Sequence, residues 1–220
     1  MSSNVNARFF WSPVIFFLVL SSTLIELVLQ GADAGIWGSA RLRILTYQNT
    51  AFYPGLLGGW IPNYELQPYV MFLSYAVVHG GLVHLVVNMV TLIALGSAVV
   101  RDVGDIRFIL IYLISAFAGA CVFAILTTSF RPMVGASGAL SGLAGALIYW
   151  NIRYAFRQKV SAVLKISSIL WPLGILLILN VLMYYGFDKN VAWETHLGGT
   201  IGGFVAAIFM RTDDMDEPVD

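Results

Sequence analysis

The sequence predicts an all-α polytopic membrane protein, a bundle of six transmembrane helices, and three observations carry that prediction. Of 220 residues, 59% are hydrophobic and only 11% charged, with a mean hydropathy of +0.81, so lipid rather than water is the natural solvent for most of the chain. A window of about 19 residues separates six apolar stretches, at 9–29, 81–100, 107–128, 137–152, 167–185 and 192–210. The basic residues divide unevenly between the connections, as loops on the two sides of a membrane do.

The elements follow in chain order. The first span is preceded by Arg8 and has no small-residue cleavage site after it, which predicts a retained helix behind a short cytoplasmic segment, residues 1–8. A long extracytoplasmic loop, about 30–78, follows. It carries Trp37, Tyr47, Phe52, Tyr53, Trp60, Tyr64 and Tyr69 among glycines and prolines, a mixture suited to the membrane interface. The fourth and sixth spans are short and rich in glycine, and the fifth carries Pro172 and Asn180. Trp150, Trp171, Trp193 and Tyr149 stand near span ends, where interface anchors belong. The membrane domain is expected to cover 9–210, with 211–220 as an acidic cytoplasmic tail.

With the N-terminus inside, Arg8, Arg101, Arg107, Arg153, Arg157, Lys159, Lys165 and Arg211 face the cytoplasm, against Arg41, Arg43, Arg131 and Lys189 outside. Both termini are then cytoplasmic. Zero formal net charge leaves no basic footprint for nucleic acid, and the single Cys121 has no partner for an intramolecular disulfide. No internal repeat stands out, which counts against transporters built from repeated halves.

Polar groups in lipid cost a few kcal/mol each when unpaired, so those present point to a protein interior or a water-filled cavity. The informative ones are His79, His84 and Asn88 at the second span, Ser137 at the fourth and His196 at the sixth. All three spans start on the same side, and each of these residues lies within about two turns of that start. They converge at one depth, with His84 and Asn88, four apart, sharing a helix face. Gly138 and Gly142 form one small-xxx-small pair and Gly199 and Gly203 another, which lets the fourth and sixth helices approach backbone to backbone. A neutral imidazole has the pKa to remove a serine proton near pH 7, so Ser137 as nucleophile and His196 as general base form a candidate dyad. His84 Nε2–H, the Asn88 amide and the Ser137 backbone N–H are candidate donors to an oxyanion. No acidic residue is read in any span at this depth except Glu194, close to the start of the sixth helix, which predicts a dyad rather than a triad.

At these residues the chain resembles the rhomboid family of intramembrane proteases. Gly135-Ala136-Ser137-Gly138 is similar to the family's G-x-S-G turn. His79, His84 and Asn88 resemble its H-x-x-x-x-H-x-x-x-N, and His196-Leu197-Gly198-Gly199 with Gly203 resembles its H-x-x-G-x-x-x-G. The resemblance extends from about residue 9 to 210. It implies a serine endopeptidase that cuts transmembrane protein substrates in or near their spans, within the lipid bilayer, and uses no metal and no cofactor. The minimal six-span format resembles prokaryotic members and implies a bacterial or archaeal plasma (inner) membrane. The chain departs from the family at three places. Val70-Met71 replaces a Trp-Arg pair, Val100 a glutamate between Gly96 and Gly104, and Ser141 an aromatic residue four after the nucleophile.

Two other functions fit parts of the pattern. A rhomboid-like pseudoprotease would bind membrane helices without cutting them and would need neither Ser137 nor His196. A small channel or transporter would use intramembrane His and Asn to line a pathway, and would leave the serine–histidine convergence unexplained.

Overall fold

The computed structural model describes residues 12–128, 130–157, 161–186 and 192–210. The expected cytoplasmic segment 1–8 and the acidic tail 211–220 lie outside the described residues, as do Lys159 and Lys189. Helix α1 runs Pro13–Asp33. Ser12 accepts the Ile15 N–H at 3.2 Å as its N-cap and Pro13 opens the first turn, the two residue types that best start a helix.

Helix α4, Leu82–Leu126, is 45 residues long, far more than one bilayer crossing needs. It contains the second and third predicted spans. Gly104 breaks it, with φ +78° and ψ 172°. The break reverses the chain: a Cβ on Gly96 would stand 3.2 Å from the Phe108 ring, whereas in a straight helix those residues would be roughly 18 Å apart. The link between the two spans is therefore a single non-helical residue rather than a loop. Ser12 Oγ also donates to the Asp105 carboxylate, tying the start of α1 to this break.

Helices α5 (Ser137–Arg157), α6 (Ala162–Gly186) and α7 (Trp193–Ile208) complete the bundle. Helix α5 is central, packed against α4, α6 and α7, and every residue from Gly138 to Ile148 is buried. An apolar cluster including Leu92, Leu95, Phe108, Ile111, Leu140 and Leu143 forms the core. Outward-facing Phe16, Phe17, Val90, Phe117, Leu177 and Ile201 are more than two-fifths exposed, as a lipid-facing surface requires. By length and composition α1 and α4 are the described helices apolar enough to cross a membrane outright, α4 having length for two crossings.

The segment between α1 and α4 is folded rather than loose. It holds α2 (Leu42–Thr50) and α3 (Gln67–Ser74), separated by a 3₁₀ turn at Pro54–Leu57, with a second at Tyr75–Val77. Phe52, Met71, Tyr75, Phe123 and Met133 form a second apolar cluster beneath it. Phe52 and Met133 also exchange both backbone hydrogen bonds at 3.0 Å in one antiparallel bridge. The loop aromatics split accordingly. Trp37, Trp60, Tyr64 and Tyr69 are exposed, as interface residues would be, but Phe52 is wholly buried and serves packing. Trp150 likewise departs from its expected anchor role. It is 4% exposed, and its indole N–H reaches the Ala207 and Met210 carbonyls at 3.3 Å, binding the end of α5 to the end of α7.

Candidate active site

Ser137 is the first residue of α5, where backbone N–H groups have no intrahelical acceptor. The turn before it depends on Gly135, whose φ of +116° suits only glycine and whose N–H donates to the Tyr75 carbonyl at 2.9 Å. His196 lies one turn into α7, and its Nε2 stands 2.8 Å from Ser137 Oγ. The two helices reach this distance because glycines let their backbones touch. A Cβ on Gly199 would overlap the Gly138 carbonyl oxygen, one on Gly203 the Gly142 oxygen, and one on Gly145 the Thr200 oxygen.

His84 approaches from the first turn of α4. Its Nδ1 accepts the Gly80 backbone N–H at 3.2 Å, so in the neutral ring the proton resides on Nε2. That Nε2 faces the nucleophile turn, 2.5 Å from where a Cβ on Gly135 would be. Asn88, 2% exposed, lies one turn further along the same face and donates one amide hydrogen to the His84 carbonyl at 2.9 Å. His79 is fully buried, edge-on to the His84 ring at 5.2 Å between centroids, with both ring nitrogens unpartnered among the described residues. Its carbonyl oxygen accepts the Tyr47 hydroxyl at 2.8 Å and Arg43 Nη1 at 3.2 Å. The structure thus brings Ser137, His196, His84 and the Gly135 turn together at one end of the bundle. Asn88 lies one turn below, and His79 stands behind His84.

Such an arrangement can move a proton from a hydroxyl to an imidazole and present N–H donors beside it. Ser141 Oγ donates to the Ser137 carbonyl at 2.8 Å, so the small residue at that position is turned into its own helix. Tyr75 donates to the Ala116 carbonyl at 2.9 Å, and its hydroxyl also fills the space beside Gly138.

Sequence reasoning passed over Glu26, an acid three residues before the end of the first predicted span. Glu194 is therefore not the lone acidic residue near this level. Glu26 is fully buried, and it binds Arg43 rather than a histidine, through Oε1–Nη2 at 2.9 Å and Oε2–Nη1 at 3.1 Å. Asp33 Oδ2 takes the Arg43 Nε–H at 2.6 Å, and Gln30 donates to Glu26 at 2.8 Å. Burial alone would lower the Arg43 pKa, but hydrogen bonds with Glu26, Tyr47 and Asp33 outweigh it and hold the guanidinium above its ordinary value. The signal was present in the sequence, since a carboxylate in an apolar span demands a partner. Two other glycines of the close packing, Gly119 and Gly202, also went unremarked; Gly198 and Gly202 press α7 against Ala118 of α4.

A family model described as Rhomboid domain matches residues 67–213, so the resemblance is carried by α3 onward and leaves out α1 and α2. The Rhomboid protease GluP of Bacillus subtilis (strain 168) is 36% identical over 138 residues, 61% of this chain and 25% of that protein. RHOMBOID-like protein 4 of Arabidopsis thaliana is 36% identical over 132 residues, 58% of this chain and 30% of its own. A relative named Inactive RHOMBOID-like protein 8, also from Arabidopsis thaliana, is 32% identical over 96 residues, 41% of this chain and 26% of its own. The chain spans between a quarter and a third of the length of these relatives. With a helical membrane bundle and a family match over about two-thirds of its length, the chain belongs to the rhomboid family.

Proposed function

We propose that the protein is an intramembrane serine endopeptidase that hydrolyses peptide bonds in or near the transmembrane segments of membrane proteins. The observation that carries this reading is the 2.8 Å contact between His196 Nε2 and Ser137 Oγ, held between helices that glycines bring into backbone contact. His196 takes the Ser137 proton as Oγ attacks the scissile carbonyl carbon, then passes it to the departing amine nitrogen. Water, deprotonated by the same imidazole, releases the acyl group from Oγ. The carbonyl oxygen carries negative charge while tetrahedral. His84 Nε2–H, beside the Gly135 turn, and the Ser137 backbone N–H are the donors this reading assigns to it, and Asn88 has a second amide hydrogen to add. His79 supports the ring of His84 and touches no reacting atom.

The substrate is a protein with a membrane-spanning helix, and the enzyme works in a prokaryotic plasma (inner) membrane with both termini in the cytoplasm. The excess of basic residues in the connections on that side supports this orientation. The membrane domain corresponds to 9–210, with its long loop on the side where the dyad lies.

The test is cleavage of a single-span substrate by purified protein in liposomes, comparing wild type with Ser137→Ala and His196→Ala. Product from wild type alone supports the proposal. Intact wild type that binds spans but yields no product would place the chain with the pseudoproteases.

A further inference from the structure

We infer that Arg43 is a positioning residue that fixes the tautomer and aim of His84 through a single peptide group. The inference rests on the reading of His84 as an oxyanion donor and adds how that donor is set. The peptide between His79 and Gly80 is trans and planar, so its C=O and N–H point in opposite directions. On the oxygen side it accepts from Arg43 Nη1 at 3.2 Å and from the Tyr47 hydroxyl at 2.8 Å. On the nitrogen side its N–H donates to His84 Nδ1 at 3.2 Å. Donors on the oxygen polarise the amide and strengthen the bond its N–H makes.

Without that grip the hydrogen bond described on this peptide is the one its own N–H makes to His84 Nδ1. Gly80 and Gly81 follow His79, Gly81 at φ +128°, so the segment has the conformational freedom to flip. A flip would turn a carbonyl toward His84 Nδ1, which would then carry the proton and leave Nε2 bare toward Gly135. Arg43 is itself immobilised. Glu26 takes its fork at 2.9 and 3.1 Å and Asp33 its Nε–H at 2.6 Å, so the guanidinium has a fixed plane from which Nη1 reaches His79. Both Glu26 and Arg43 precede the residues matched by the family model, which begin at 67. The positioning device is therefore built from α1 and α2, not from the matched part of the bundle.

The chain has three histidines, so protein carrying nitrogen-15 in its imidazoles gives three readable rings, with His84 assigned by its loss in His84→Ala. Wild type should show His84 as one tautomer, Nε2 protonated and Nδ1 accepting. In Arg43→Met that ring should shift to a mixture of tautomers, and kcat should fall about tenfold, the loss of one hydrogen bond, with KM little changed. Arg43→Met added to His84→Ala should cost nothing further. Tyr47→Phe, which keeps the ion pairs, should move the same ring in the same direction and serves if Arg43→Met does not fold. An unchanged His84 tautomer in either folded variant would overturn the inference, as would an additive loss in the double variant. The tautomer is read without any cleavage, so an inactive wild type would sink the proposed function alone.

Discussion

Gly199 lies against the Gly138 carbonyl oxygen so closely that a methyl group at 199 has no room, and this pair sets the separation of the helices that carry His196 and Ser137. Gly199→Ala must push α5 and α7 apart. We expect a loss of about 1–3 kcal/mol of stability, the usual range for overpacking, and a larger loss of cleavage because the 2.8 Å contact opens. Gly174→Ala in α6, where a Cβ meets open space, is the control. Thermal unfolding and labelling of Ser137 by a fluorophosphonate separate the two effects. A Gly199→Ala protein with normal labelling would count against this packing.

Gly135→Ala meets two obstacles at once. A φ of +116° is strained for any side chain, and the new Cβ would stand 2.5 Å from His84 Nε2 and 2.6 Å from its Cε1. The variant should remain helical by circular dichroism and lose kcat on the order of a hundredfold or more, as loss of an oxyanion donor does.

Asn88 hydrogen-bonds within its own helix, to the His84 carbonyl at 2.9 Å. Asn88→Ala is accordingly expected to leave the unfolding midpoint nearly unchanged and to lower kcat on the order of 10²-fold with KM preserved. A fall in stability with kcat intact would identify Asn88 as a structural residue.

Ser12 caps α1 and also donates to Asp105 beside the Gly104 break. Ser12→Ala should cost about 1 kcal/mol of stability and leave the turnover of folded enzyme untouched. Denaturant titration in mild detergent, beside a cleavage assay, measures both.

The parts of the fold that the sequence disclosed were those the bilayer dictates. A span needs a fixed length of apolar residues, so the six stretches were visible, and a polar group in lipid is conspicuous, so Ser137, His84, Asn88 and His196 stood out. The residues missed depend on folding of the long connection. Arg43 reads as one of several loop cations until α2 carries it back onto Glu26 and the His79 carbonyl. The same connection hid α2 and α3, because its glycines, prolines and aromatics break any helical period. Trp150 was misjudged for a related reason. Its place near a span end suits an anchor, but the shortness of α7 brings the Ala207 and Met210 carbonyls within reach of its indole.

The one-residue reversal at Gly104 makes the two arms of α4 mechanically continuous, a hairpin with no slack. Each residue inserted into a helix turns everything beyond it by about 100°. An added residue near 104 would have to be absorbed at the joint itself, or Ser115 and Gly119 would be carried off the faces they turn toward Gly142 and Thr195. Length variation in this protein should therefore avoid the Gly104 joint. A library of single-residue insertions scored for membrane integration and folding would map that intolerance directly.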